Sequence, residues 1–171
     1  MTATSTVPTT TVPKRLMRAV LFGVAVAVAA MDLLVKQVAA GTLAGQGTVD
    51  LPGPLDLRLL FNPGAAFGLG AALPAAAVVA VTGLVIAGLV VYAWHAAPTM
   101  GRAGRAGLAV LLGGALGNVL DRGVDGVVTD YLHTGWWPTF NLADVAIVTG
   151  VGLMLLGLLR QPPGTDPDKT S

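Results

Sequence analysis

Two aspartates, Asp130 and Asp144, flank an aromatic stretch within residues 126–146, at the start of the last long apolar segment. An ionisable group beside a membrane span is costly to bury, so its default interpretation is functional. Two carboxylates a few ångströms apart do not both ionise cheaply, and such a pair shares a proton. One member can deprotonate a water while the other protonates a carbonyl oxygen. We therefore interpret this stretch as a candidate active site.

The remaining composition leaves few alternatives to carboxylate chemistry. The chain contains no cysteine, which excludes disulfides, a thiol nucleophile and a thiolate metal site. His95 and His133 are too few and too far apart for a histidine zinc site of the HExxH kind, so we expect no metal and no other cofactor. The only serines are Ser5 and Ser171, in the polar tails, and glutamate does not occur. Catalysis by carboxylates must therefore use aspartates.

The overall composition indicates an integral membrane protein. Of 171 residues, 54% are hydrophobic and 11% are charged, whereas an average soluble domain has roughly 25% charged residues. The mean hydropathy is +0.74. The formal net charge of +1 comes without any basic run, so we expect membrane lipids and no nucleic acid as partners.

We predict four membrane spans, at about residues 16–40, 73–94, 103–120 and 141–160. The last two contain only fifteen consecutive uncharged residues each, so they cross the bilayer only if their flanking charges lie at the interfaces or just inside. The basic start of the first span also fits a secretory signal peptide. Apolar character resumes after Asp32, however, and Asp32 with Lys36 forms a favourable i, i+4 pair, so we predict one retained helix. Residues 16–160 then form the membrane domain, between disordered cytoplasmic tails at 1–15 and 161–171.

The distribution of basic residues predicts the orientation of these spans. One side carries Lys14, Arg15, Arg18, Arg102, Arg105, Arg160 and Lys169; the other carries Lys36, Arg58 and Arg122. By the positive-inside rule both termini are cytoplasmic. Asp130 and Asp144 then belong to the extracytoplasmic side.

A small β element is predicted between the first two spans. Leucines at 55, 57 and 59 alternate with Asp56 and Arg58, which is typical of a half-exposed strand. The Pro-Gly-Pro turn at residues 52–54 follows residues 48–51, which indicates a hairpin. The predicted fold class is an all-α membrane protein with four transmembrane helices and an extracytoplasmic β-hairpin element between helices 1 and 2.

Several polar residues allow a structural as well as a functional interpretation. Asn141 could cap the fourth helix with Asp144 as its third residue, where a carboxylate complements the helix dipole. Asp121 lies at the unfavourable end of the third helix and needs Arg122 or another donor nearby, which favours a structural salt bridge. Asp32 and Lys36, similarly, could form only an interfacial ion pair. We expect Trp136 and Trp137 to be interface anchors.

Taken together, five motifs resemble the bacterial lipoprotein signal peptidases, also called signal peptidase II, over about residues 16 to 160. They are Asp32-x-x-x-Lys36, Asn62-x-Gly64-x-Ala66-Phe67, Gly117-Asn118-x-x-Asp121-Arg122, Val128-x-Asp130-Tyr131 and Phe140-Asn141-x-Ala143-Asp144. One departure is that the family usually has Val-Val-Asp-Phe at the first catalytic acid, where this chain has Thr129 before Asp130 and Tyr131 after it.

This resemblance implies a four-helix aspartyl protease of the bacterial cytoplasmic membrane that releases signal peptides from diacylglyceryl-modified prolipoproteins at the outer face. It also implies globomycin-type inhibitors. The catalytic pair of the family matches Asp130 and Asp144. Its substrate-binding or supporting positions match Asn62, Gly64, Asn118, Asp121, Arg122, Asn141, Asp32 and Lys36.

Two other functions are compatible with four apolar spans. A small transporter that uses an intramembrane aspartate would place its acid near the bilayer midplane, whereas here the acids cluster on one side. A non-enzymatic assembly protein would tolerate both Asp130→Asn and Asp144→Asn. For the protease, we predict that Asp144 is on the first turn of the fourth helix and Asp130 on a more mobile connection, which folds back to bring the two together.

Overall fold

The computed structural model describes residues 12–64 and 74–160, which form four helices and two strands. The helices are α1 (Lys14–Leu43), α2 (Ala75–Ala96), α3 (Arg102–Asp125) and α4 (Leu142–Leu159), and the strands are β1 (Asp56–Asn62) and β2 (Val128–His133). Each helix is long and apolar enough to cross a membrane. The predicted fold class is therefore confirmed. Of the predicted tails, residues 1–11 and 161–171 lie outside the described residues, and Lys14 already begins α1.

Helix α3 packs against each of the other three helices. Its closest approach is to α4, where glycines allow the two backbones to touch. A Cβ atom added at Gly107 would lie only 2.5 Å from the carbonyl oxygen of Gly150 and 2.8 Å from the amide nitrogen of Met154. Buried leucines such as Leu108 and Leu112 complete the packing of α3 against α1 and α2. Many outward-facing valines and leucines are exposed, as expected of a surface that faces lipid.

The β element between α1 and α2 is present, but most of its pairing is with a distant segment. Val49 and Leu57 form a single antiparallel bridge across the predicted turn. The longer antiparallel ladder joins β1 to β2, which lies between α3 and α4. Alternation in the sequence identified a strand in the first connection, because alternation reports which side chains are buried, but it does not identify the partner strand.

A left-handed glycine directs the chain from α3 into β2. Gly126 has φ 89° and its N–H donates to the carbonyl of Arg122, which ends the helix. Val128 begins the strand two residues later. This short connection brings β2 and Asp130 to the same end of the helix bundle as the start of α4.

Candidate active site

The two aspartates singled out in the sequence lie on different kinds of element. Asp144 is the third residue of α4, as predicted. Asp130 lies in the middle of β2 and is only 2% exposed. Asp130 lies in a strand and not in a loop: pairing with β1 on one side, and a bridge from Leu132 to Phe140 on the other, place it in a small sheet. That this connection is more mobile than the start of α4 stays a prediction.

Asn141 contacts both carboxylates. Its side-chain Nδ2 donates to Asp130 Oδ1 at 2.6 Å, and its backbone N–H donates to Asp144 Oδ2 at 3.2 Å. Its side-chain oxygen in turn accepts from the Asp144 N–H at 3.0 Å, which completes a capping box at the start of α4. A single buried asparagine thus brings Asp130 and Asp144 into one network.

The first N–H groups of α4 all have side-chain acceptors. Such groups have no partner within the helix and need one from elsewhere. Asn141 and Asp144 satisfy each other, Asp32 Oδ1 in α1 accepts from Ala143 at 2.8 Å, and the hydroxyl oxygen of Tyr131 accepts from Leu142 at 3.2 Å. Asp144 therefore does serve the helix-capping role considered in the sequence, within the same network as Asp130.

A bulge in β1 turns Asn62 toward Asp130. Leu57 pairs with Leu132, but two residues of β1 then lie opposite one of β2 before Leu60 pairs with Asp130. A bulge shifts the alternation of the strand by one residue. As a result Asn62 lies on the same face as Asp130 and donates from Nδ2 to Asp130 Oδ2 at 3.0 Å.

Lys36 is the centre of a second, charged cluster. Its ammonium is only 2% exposed and lies 2.9 Å from Asp32 Oδ2 and 3.2 Å from Asp121 Oδ2. It also donates to Asn118 Oδ1 at 2.7 Å. Because this bond orients the Asn118 amide, Asn118 Nδ2 points to Asp144 and donates to Asp144 Oδ1 at 2.8 Å. Asp32 and Lys36 therefore form more than the interfacial ion pair considered in the sequence.

Asp121 finds a donor other than its neighbour Arg122. It is paired with Lys36 and also accepts from the backbone N–H of Thr129 at 2.7 Å. Arg122 instead donates to the carbonyl oxygen of Gly64, while its Nε is buried without a hydrogen-bond partner in the described part of the chain. Asp121 thus forms the expected salt bridge, but its partner is Lys36, which is far from it in the sequence.

A cavity of about 740 Å³ opens beside the aspartates. One part of its wall is polar, with Asn62, Asn118, Arg122, Asp130 and Asp144. The rest is apolar and includes Leu60, Val85, Ile86, Val119, Ile147 and Val148. A cavity lined by both polar and apolar side chains fits a ligand that is partly polar and partly hydrocarbon.

The pKa of Asp130 is raised from 3.8 to about 6, mainly by burial and also by the nearby charge of Asp144. Hydrogen bonds from Asn62 and Asn141 and the charge of Lys36 oppose this shift. A carboxyl group with such a pKa can hold a proton near neutral pH, as a general acid requires.

The aromatic loop contributes to the wall of this cavity. Trp136 is 81% exposed and packs edge to face on Trp137, whose ring centroid is 5.5 Å away. Trp137 also lines the cavity. Within residues 12–64 and 74–160, no cluster of three or more His, Cys, Asp or Glu side chains could hold a metal ion.

Nine of the ten site residues predicted from the sequence are linked by contacts to one another at this end of the bundle, and Arg122 joins them through Gly64. Ala66 and Phe67 of the second motif lie outside the described residues. Sequence reasoning missed the contacts of Thr129 and Tyr131, although both stood out as departures from the family pattern.

Comparison with known proteins points to one family. The family model described as signal peptidase (SPase) II matches residues 24–160. A lipoprotein signal peptidase of Azoarcus sp. (strain BH72) is 41% identical over 156 residues, which cover 86% of this chain and 88% of that protein. Another, of Rhodococcus jostii (strain RHA1), is 40% identical over 164 residues, 86% of this chain and 77% of that protein.

Solved structures show the same fold. One, described as "Bacterial membrane enzyme structure by the in meso method at 2.3 A resolution", superimposes with a TM-score of 0.73 at 26% identity and covers 90% of this chain and 95% of that chain. A second, described in the same words at 1.9 A resolution, gives a TM-score of 0.70 at 27% identity, with 84% and 95% covered.

Proposed function

The chain belongs to the signal peptidase II family and is a multi-pass membrane protease of lipoprotein signal peptides, and we propose that Asp130 and Asp144 are its catalytic pair. The observation that carries this proposal is the contact of Asn141 with both carboxylates beside the large cavity. This contact holds two titratable groups in one buried network, as hydrolysis by an activated water requires. The family assignment also favours the protease over the transporter considered from the sequence.

We assign the shared proton of the pair to Asp130, because burial raises its pKa to about 6. Asp144 then takes a proton from a water molecule, whose oxygen attacks the scissile carbonyl carbon while Asp130 protonates the carbonyl oxygen. The tetrahedral intermediate collapses when the C–N bond breaks, the leaving amine receives the proton from Asp144, and one hydroxyl of the intermediate returns its proton to Asp130 as the C=O bond reforms. No acyl-enzyme forms in this mechanism.

Arg122 and the asparagines are positioned to hold the peptide part of the substrate. Arg122 lines the cavity, one of its nitrogens binds Gly64, and its Nε is buried without a partner in the described chain. A buried donor of this kind is satisfied when a peptide carbonyl binds. We propose that Arg122 and Asn118 bind the substrate backbone, while Lys36, Asp32 and Asp121 support Asn118 from behind.

The apolar wall of the cavity suits the diacylglyceryl group of a modified prolipoprotein. Val85 and Ile86 of α2 line it together with Ile147 and Val148 of α4, and we propose that acyl chains bound there extend into the surrounding lipid. We propose that both termini are cytoplasmic and that the cavity opens to the outer face of the bacterial cytoplasmic membrane. Globomycin-type inhibitors are expected to occupy the same cavity.

The test is cleavage of a diacylglyceryl-modified prolipoprotein by the purified protein in detergent. We expect Asp130→Asn and Asp144→Asn each to lower kcat by about 10³-fold, because each removes a proton donor or acceptor. Asp50→Asn is the matched control, since Asp50 is exposed in the first connection, and it should cleave like the parent.

Two outcomes would contradict the proposal in different ways. If either Asp130→Asn or Asp144→Asn cleaves as fast as the parent, the assignment of the catalytic pair is wrong. If unmodified prolipoprotein is cleaved as efficiently as the modified form, the proposed substrate class is wrong.

A further inference from the structure

We propose that Tyr131 is a positioning residue for the catalytic pair, acting through the hydrogen bond between its hydroxyl and the backbone N–H of Leu142. This inference rests on the proposed function of Asp130 and Asp144. Tyr131 directly follows Asp130 in β2, and Leu142 is two residues before Asp144 in α4. The bond therefore joins the two catalytic segments close to both carboxylates.

The tyrosine ring is held firmly in place. It is 5% exposed and packs with Ala39 and Leu43 near the end of α1, and Leu142 also packs against this cluster. A buried phenol has only two side-chain torsions, so its hydroxyl oxygen occupies a defined position relative to the backbone of β2. The rigid ring therefore holds the hydroxyl oxygen at a fixed distance from β2, where it accepts from the start of α4.

The hydroxyl supplies an acceptor that the first turn of α4 requires. Asn141 and Asp144 satisfy each other's N–H groups, which leaves those of Leu142 and Ala143 for acceptors outside the helix. Asp32 accepts from the N–H of Ala143 and so connects this turn to α1. Tyr131 accepts from the N–H of Leu142 and so connects it to β2. A phenylalanine at this position would provide the ring without the hydrogen bond to Leu142.

Loss of the hydroxyl should therefore affect alignment more than folding. The ring and its apolar contacts remain in Tyr131→Phe, but the N–H of Leu142 loses its acceptor and the turn can shift relative to β2. Reaction rates are sensitive to displacements of about 1 Å between reacting groups. Tyr131 is not among the residues that line the cavity, so binding of the substrate should change little.

The first experiment measures kcat and KM of Tyr131→Phe on the modified prolipoprotein, together with its thermal unfolding in detergent. We expect kcat to fall roughly 10-fold and KM to stay within about twofold of the parent. The control is Tyr92→Phe, which removes the hydroxyl of the other tyrosine, half exposed in α2, and should match the parent.

A second variant removes the same hydrogen bond from the donor side. Leu142 is the first helical residue, where proline is well tolerated, and Asn141 before it has the extended backbone (φ −130°, ψ 179°) that a following proline favours. In Leu142→Pro the tyrosine hydroxyl has no N–H to accept from. We therefore expect Tyr131→Phe to cause no further loss of kcat in this background.

Three results would overturn the inference. The first is an unchanged kcat in Tyr131→Phe, and the second is a loss of kcat that disappears once rates are expressed per folded molecule. Multiplicative losses in the double variant show that the hydroxyl acts elsewhere. Should Leu142→Pro not fold, the kcat and KM of Tyr131→Phe decide alone. Failure of the parent to cleave contradicts the proposed function as well, whereas normal cleavage by the parent and by Tyr131→Phe contradicts only this inference.

Discussion

The two ends of the α3–α4 pair are held together by different interactions. Toward the start of α3, glycines bring the backbones into contact, with Gly107 against Gly150 and Gly104 against Gly157. At the other end, Asn118 of α3 and Asp144 of α4 meet through a hydrogen bond inside a network of charges. The first region depends on shape alone, whereas the second adds hydrogen bonds and ion pairs to a further glycine contact, that of Gly114 with Ala143.

This difference shows how the fold can accommodate a buried polar site. Contact between glycine backbones fixes the separation of the helices without using any charge. Asn118, Asn141 and Asp144 then need only orient one another across a separation that is already set. Substitutions in the two regions should consequently fail in different ways, one through packing and the other through unbalanced charge and lost alignment.

The largest effect is expected from Lys36→Met in the polar region. This change leaves Asp32 and Asp121 buried or half-buried without their shared cation. Loss of one partner from a buried ion pair typically costs about 3–5 kcal/mol. The midpoint of thermal unfolding in detergent should fall sharply, whereas Lys14→Met, at the exposed start of α1, should leave it near that of the parent. Equal midpoints for the two variants would show that the charges do not stabilise this end.

Asn141→Ser should separate the capping role of Asn141 from its contact with Asp130. Serine is a good helix cap, so the start of α4 should persist, but the donor to Asp130 Oδ1 is lost. We expect kcat to fall by about 10- to 100-fold through misalignment of the pair, with a small change in the unfolding midpoint. A kcat that stays at the parental value would mean that the bridge between the carboxylates is dispensable.

Gly107→Ala probes the glycine region. The added methyl would collide with the carbonyl oxygen of Gly150 at 2.5 Å and the amide nitrogen of Met154 at 2.8 Å, and backbone atoms cannot move aside easily. Overpacking of this kind costs about 1–3 kcal/mol. Gly152→Ala in α4 is the matched control, because a methyl there meets no atom within 4 Å. Unfolding midpoints that do not differ between the variants would argue against tight backbone contact.

A fourth effect is the contribution of Asp130 to the pH dependence of stability. Burial raises its pKa from 3.8 to about 6, so the folded state binds the proton more tightly than the unfolded state. This stabilisation is fully present below about pH 4 and is lost as the pH rises through about 6. The unfolding midpoint of the parent should therefore fall more between these values than that of Asp130→Asn. Asp50→Asn should keep the parental dependence, and identical curves for all three would contradict the shift.

Local features of this protein could be predicted from the sequence. Apolar runs indicate the four helices, because spanning a bilayer requires continuous apolar stretches. The spacing of Asn141 and Asp144 indicates a helix start, because a capping box joins residues three positions apart. The candidate site residues could be named from motifs, since each motif is a short stretch of chain.

Contacts between distant segments were decided only by the tertiary structure. The bulge in β1 turns Asn62 toward Asp130, against the alternation that begins at Leu57. Lys36 takes the place of Arg122 as partner of Asp121, and Tyr131 reaches the first turn of α4. Periodicity and composition report how buried a residue is, but they carry no information about which distant group lies opposite. The sequence by itself therefore determined the spans and the reactive residue types, while folding decided how those residues meet.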